Sequence, residues 1–190
     1  MGELTTESLG KISPIHGAAA ALAPVDGADL RRTFAHFPSG VVAVCARIGG
    51  TPYGLVASTF VPVSLDPPLV SICIQYTSET WPRLEQASRL GLSLLSSEQE
   101  PAARSLSSRR GDRFRNVELH TGNGNAAFVG GATAWLETSV HEQVPAGDHA
   151  VVLLRVHRVS VSSDSEPLVF HRSIFRAFEG KSPVGQLNSA

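Results

Sequence analysis

With 190 residues the chain has the size of a single domain and can bury a substantial apolar core without metals or covalent staples. Its 16 basic and 17 acidic residues leave a formal net charge of -1, which gives no electrostatic reason to expect nucleic acid or an anionic membrane as partner. Its two cysteines, Cys45 and Cys73, each lie in an apolar run where a thiol behaves as a small buried hydrophobe, which argues against a disulfide framework.

Residues 1–28 are rich in Ala, Gly, Ser, Thr and Pro without a sustained apolar period, so they are expected to form a loose arm. They carry Glu3 and Glu7 with no basic residue before Lys11. The stretch Ala18–Ala23 is too short for a signal or a membrane span, so the protein is expected in the cytoplasm. Asp29 can cap a helix through Phe37, stopped by Pro38, Ser39 and Gly40 before the β-branched run Val41–Val44. Further β-rich runs follow at Tyr53–Phe60, Leu69–Ile74, Leu90–Leu95, Ala134–Gln143, Ala150–Ser162 and Leu168–Phe170. Thr80–Gln86 and Glu98–Leu106 read as short helices that do not alternate regularly with the strands. The pattern predicts a mainly β fold with short helices and an antiparallel barrel over residues 29–178, and residues 179–190 as a tail.

Candidate chemistry gathers at the loop–strand junctions. Pro38–Gly40, Gly54–Phe60 and Ser64–Pro68 set small hydroxyls beside Gly or Pro, so backbone amides and side-chain oxygens can approach a phosphate or a ring edge. A plain turn explains Pro38–Gly40, and a rigid Asp66-Pro67-Pro68 turn is as available as a ligand role. Thr77–Pro82 offers hydroxyl donors at a helix start, where Ser78 and Thr80 can be either caps or anion ligands. Arg113, in Gly111-Asp112-Arg113-Phe114, is the best single candidate for a phosphate partner, with a solvated surface position as the alternative. His149 follows a Gly147-Asp148 turn, and His171-Arg172 follows a strand; a lone histidine at such a place is more often a turn or core residue than a catalytic one.

Other chemistries lack their signatures. The seven histidines are dispersed, with no His-Glu-x-x-His or Cys-x-x-Cys, so no metal is expected. No Gly-x-Ser-x-Gly elbow and no Gly-x-Gly-x-x-Gly fingerprint is present.

At these same residues the sequence resembles the short-chain flavin reductase family, the reductase components of two-component flavin-dependent monooxygenases. The likeness runs in order through Phe34–Gly40, Gly54–Phe60, Val63–Val70, Ser78–Pro82, Gly111–Phe114, Pro145–His149 and Leu168–His171, covering about 29–176. The resemblance implies an FMN-binding split β-barrel homodimer, with FMN or FAD in a groove near the subunit interface and NADH or NADPH stacked on the flavin. It implies that Val56, Ala57, Ser58 and Thr59 line the flavin, with Ser64, Leu65 and Asp66 beside them, and that Ser78 and Thr80 meet the phosphate region. Ser39, Gly40 and Val41 complete the site together with Arg113 and Phe114, the last two with the neighbouring subunit as one source. His149 corresponds to the family's histidine near the nicotinamide, with His171 placed to help. Two positions depart from the common pattern: Ala57, where many relatives carry Asn, and Arg172, where relatives often have Gly.

The resemblance implies a reductase that transfers hydride to free flavin and supplies the product to a monooxygenase, His149 acting chiefly as a positioning group. Two other readings stay open on sequence grounds: a flavoprotein that keeps its FMN and acts on a small organic substrate, and a non-enzymatic flavin- or haem-binding module.

Overall fold

The computed structural model describes residues 24–162 and 165–177. Apart from residues 24–28, the expected arm and tail lie outside these. Of the described residues, 24–34 fall in one unit and those from Ala35 in another. In the first, helix α1 spans Gly27–Phe34. Its cap is Asp26, not Asp29: the Asp26 carboxylate accepts the Ala28 N–H at 2.6 Å and its carbonyl accepts the Leu30 N–H at 2.9 Å. Asp29 pairs instead with Arg32 inside the helix.

The second unit is built almost wholly from antiparallel strands: β1 (Ser39–Gly40), β2 (Val42–Ile48), β3 (Thr51–Ala57), β4 (Val61–Leu65), β5 (Pro68–Gln75), β6 (Leu90–Leu94), β7 (Leu119–Thr121), β8 (Ala127–Val129), β9 (Ala134–Ala146), β10 (His149–Val161), β11 (Val169–His171) and β12 (Ile174–Arg176). Helices α2 (Trp81–Leu84) and α3 (Glu100–Ser107) interrupt them, α3 preceded by a 3₁₀ turn at Ser97–Gln99. One seven-stranded sheet runs β3-β2-β6-β9-β10-β5-β4; β1, β11 and β12 form a three-stranded sheet, and β7 and β8 a two-stranded one. β3 and β4 are the edges of the large sheet and do not pair with one another, so the barrel is open.

β2 explains why the sheet is central. Its alternate residues Val42, Val44 and Ala46 pack into a core with Ile72, Leu92, Val152 and Leu154. Ala43 and Cys45, with Val41 just before the strand, enter a second core with Leu95, Ala103, Leu106 and Val129. A period of two with both faces apolar is the signature of a strand covered on both sides. Gly91 on β6 is required by close approach: a Cβ there would lie 2.1 Å from the Ala127 carbonyl oxygen of β8.

Three departures from the sequence reading have local causes. The run Tyr53–Phe60 does not form one strand, because the Thr59 hydroxyl accepts the Cys73 N–H at 2.8 Å and takes the place of a ladder partner, ending β3 at Ala57. The helix expected over Glu98–Leu106 begins as a 3₁₀ turn, where the Gln99 side chain accepts the Ser96 N–H at 3.0 Å. β7, β8 and β12 have 3 residues each, too few to carry a visible alternation. No helix among the described residues is long and apolar enough to cross a membrane.

Candidate functional site

Where β3 ends and β5 runs alongside it, a cleft of about 620 Å³ opens toward α3 and the start of β10. Three kinds of wall meet there. Leu55, Val56, Ala57, Ile74 and Leu106 give an apolar floor; Ser58, Thr59, Thr77, Ser78 and Thr80 bring hydroxyls; Arg109, Arg113 and His149 bring basic groups. Such a cleft suits a ligand that combines an apolar surface with polar and anionic groups.

The place for an anionic group is set by Arg113. Its Nη1 donates to the Thr80 hydroxyl at 2.6 Å and approaches the Gly54 carbonyl at 3.5 Å. The backbone holding it is tied down: the Ser105 hydroxyl donates to the Arg113 carbonyl at 2.9 Å, and the Asp112 carboxylate accepts the Phe114 N–H at 2.9 Å. Thr80 holds the cap position of α2 without a side-chain cap bond, and the Ser78 hydroxyl two residues earlier accepts the Trp81 N–H at 3.2 Å while lining the cleft. Because α2 is one turn of 4 residues, its dipole is small and affinity for an anion rests on the hydroxyls and the guanidinium.

The cleft wall also carries His149, the first residue of β10, paired in register with Gln75 of β5 and Ala146 of β9. Asp148 lies within 2.6 Å of its Nδ1. A carboxylate only accepts, so the ring proton sits on Nδ1. The backbone beneath is fixed by the Tyr76 N–H donating to the Asp148 carbonyl at 3.1 Å.

Of the residues singled out in the sequence, Val56, Ala57, Ser58, Thr59, Ser78, Thr80, Arg113 and His149 line this one cleft. The rest stand elsewhere. Ser39 and Gly40 pair with Phe170 and Val169 in the small sheet, and Val41 is buried in the second core. Ser64 is half-buried, whereas Leu65 and Asp66 are exposed at the β4–β5 turn, where Leu65 pairs with Pro68 across a cis Asp66–Pro67 bond. Phe114 packs in the second core, close enough to Gly54 that a Cβ there would lie 2.8 Å from its ring. Arg113 thus lines this cleft from the same chain as Thr80, whereas Phe114 does not line it. His171 is half-buried at the end of β11, and Arg172 is exposed in the β11–β12 turn with φ 52°.

Residues not singled out also face the cleft, among them Cys73, Gln75, Glu79, Ser107 and Arg109. Cys73 and Gln75 alternate on β5 with the core residues Ile72 and Ile74, so the period of two carried a signal for them. Arg109 carried none, since its place depends on how the chain leaves α3.

Comparison with known proteins adds three kinds of likeness. Residues 34–179 match the family described as flavin reductase like domain. Among curated proteins, an actinorhodin polyketide dimerase of Streptomyces coelicolor is 34% identical over 146 residues, 76% of this chain and 82% of that protein. An NADH-dependent FAD reductase of Streptomyces globisporus is 34% identical over 182 residues, 92% of this chain and 99% of that one. The reductase subunit of a flavin-dependent monooxygenase of Rhodococcus jostii is 29% identical over 163 residues, 86% and 83% of the two chains. Among solved structures, the NADH:FAD oxidoreductase of Streptomyces globisporus C-1027, in complex with NAD and FAD fragments, superposes with a TM-score of 0.79 at 33% identity, covering 86% of this chain and 99% of that one.

Proposed function

The chain belongs to the flavin reductase like domain family, and from that premise we propose that its cleft binds FMN or FAD, the ring system on the apolar floor and the phosphate at Arg113, Thr80 and Ser78. The protein is an NAD(P)H-dependent flavin reductase that supplies reduced flavin to a partner monooxygenase. The nicotinamide and the flavin themselves provide the electronics of hydride transfer. The chain's residues bind and orient: Ala57 and Ser58 border the ring region, and His149 holds the nicotinamide's position from the cleft wall. No acid–base pair is required for this, which agrees with a site whose basic groups are arranged for binding.

The single observation that carries the reading is the Arg113–Thr80 contact in a cleft whose wall also holds His149 and the apolar side chains of β3 and β5. Its test is the loss of nicotinamide absorbance when NADH or NADPH is mixed with catalytic protein and excess free FMN or FAD. Many turnovers per protein molecule, rising with added flavin, support a diffusible-flavin reductase. One turnover, or none, overturns it.

A second copy of the chain is part of this proposal. In register across the sheet, Val144, Val151 and Cys73 face one side, as do Leu153, Ser71 and Val61. Directly paired residues share a face, and here it is the face opposite the first core. Val61 and Val144 are 52% and 43% exposed and, with the exposed Glu142 paired to Leu153 on the same face, form a largely apolar strip that runs into the cleft at Cys73. A homodimer covering this strip would border the flavin groove. Sedimentation of the wild type as a dimer, and of Val61→Glu as a monomer, supports it; a wild-type monomer sinks it. We also place the protein in the cytoplasm, where the two free thiols would persist.

A further inference from the structure

Two guanidiniums line the cleft, and they differ in what already occupies them. Arg113 is engaged by Thr80 and Gly54. Arg109 makes no hydrogen bond or ion pair among the described residues, yet the turn that presents it is fixed on both sides. Before it, the Ser107 hydroxyl donates to the Ala103 carbonyl at 2.7 Å. Across it, the Ser108 hydroxyl accepts the Arg110 N–H at 3.2 Å and donates to the Arg110 carbonyl at 2.8 Å, with Gly111 at φ 77° closing the turn. Apart from His149, the remaining ionisable groups on the cleft wall are Cys73 and the carboxylate Glu79. The arginines therefore set a positive field there.

A flavin mononucleotide has one phosphate, which Arg113 with Thr80 and Ser78 can satisfy. A flavin adenine dinucleotide has a second phosphate further from the ring. We infer that Arg109, exposed on the same cleft wall where Arg113 is half-buried, holds that second phosphate and so selects FAD over FMN. This rests on the cleft being the flavin site. It assigns a specificity role to an exposed residue that makes no hydrogen bond or ion pair among the described residues, so its removal should leave the fold intact.

The experiment measures equilibrium dissociation constants for FAD and for FMN by quenching of flavin fluorescence, without nicotinamide, for wild type, Arg109→Ala and Arg110→Ala. Arg110 is exposed in the same turn and does not line the cleft, so it controls for net charge. Arg109→Ala should weaken FAD about tenfold and FMN less than twofold, with Arg110→Ala unchanged; in turnover, KM for FAD should rise while kcat at saturating FAD is kept. Equal weakening of both flavins overturns the inference, because Arg109 would then serve the first phosphate. No weakening, or an equal effect from Arg110→Ala, overturns it as well. If the wild type binds neither flavin, the reading of the cleft itself fails, an outcome distinct from all of these.

Discussion

Nδ1 of His149 and the carboxylate of its chain neighbour Asp148 lie 2.6 Å apart, with His149 one-third exposed at the cleft wall and Asp148 almost fully in solvent, at 32% and 89%. The pair fixes the ring's tautomer and its rotation about the end of β10. Because the acceptor is solvated, its help is modest, on the order of 1 kcal/mol or less.

For a nicotinamide-positioning His149, His149→Ala should lower kcat/KM for NADH by about 30-fold, roughly 2 kcal/mol, while leaving the dissociation constant of the flavin nearly unchanged. Asp148→Asn should cost no more than about fivefold. Steady-state kinetics with flavin saturating would read both. A loss from Asp148→Asn as deep as that from His149→Ala would show that the carboxylate does more than orient the ring.

The Arg113–Thr80 pair predicts a phosphate-dependent loss. Arg113→Ala should weaken FMN by about 30-fold, in line with about 2 kcal/mol for a charge-assisted contact, and should barely affect riboflavin, which has no phosphate. Arg113→Lys should recover only part of the affinity, since an ammonium cannot reach Thr80 and a phosphate with the same fork geometry. Fluorescence titration with the two flavins separates this from general unfolding, in which both would be lost.

The two thiols should behave differently. Cys45 is fully buried in the second core and its pKa is pushed up to about 12 by burial, whereas Cys73 is half-buried at the cleft wall. A thiol reagent at neutral pH should label Cys73 alone in the native protein, more slowly with FMN present, and Cys45 only after unfolding. The raised value also fixes a sign. Between the ordinary 9.0 and about 12, the unfolded chain releases the Cys45 proton and the native one keeps it, so stability falls as pH rises through that window. Denaturant melts of wild type and Cys45→Ala across alkaline pH would test this; an equal alkaline loss in both would remove Cys45 as the cause.

The β11–β12 turn is strained. Arg172 at φ 52° and Ser173 at φ 61° both occupy the left-handed region between the paired His171 and Ile174, an arrangement that favours Asn-Gly. The double change Arg172→Asn with Ser173→Gly should stabilise by about 1 kcal/mol, raising Tm by about 3 °C. Arg172→Val should lower it, because a β-branched residue tolerates this conformation least. Calorimetry with both variants decides it; an unchanged Tm in both would mean the turn relaxes at no cost.

Much of this protein was legible in the chain itself. The β-branched runs separated by Gly, Pro and Ser fixed a mainly antiparallel β fold, since a period of two can be buried only against another sheet or helix face. The hydroxyls at Ser58, Thr59, Ser78 and Thr80, together with Arg113 and His149, were found from local punctuation because strand ends and helix starts are where side chains and free amides become available. What the chain could not reveal was convergence. Ser64, Leu65 and Asp66 share the local chemistry of Ser58 and Thr59, yet the sheet order sends their turn away from the cleft. Arg109 has no local mark at all and reaches the cleft only through the exit of α3. Which residues meet depends on strand order and register, and those are set by long-range burial of Val42, Ile72, Leu92 and Val152 in one core, a condition that no short window of sequence contains.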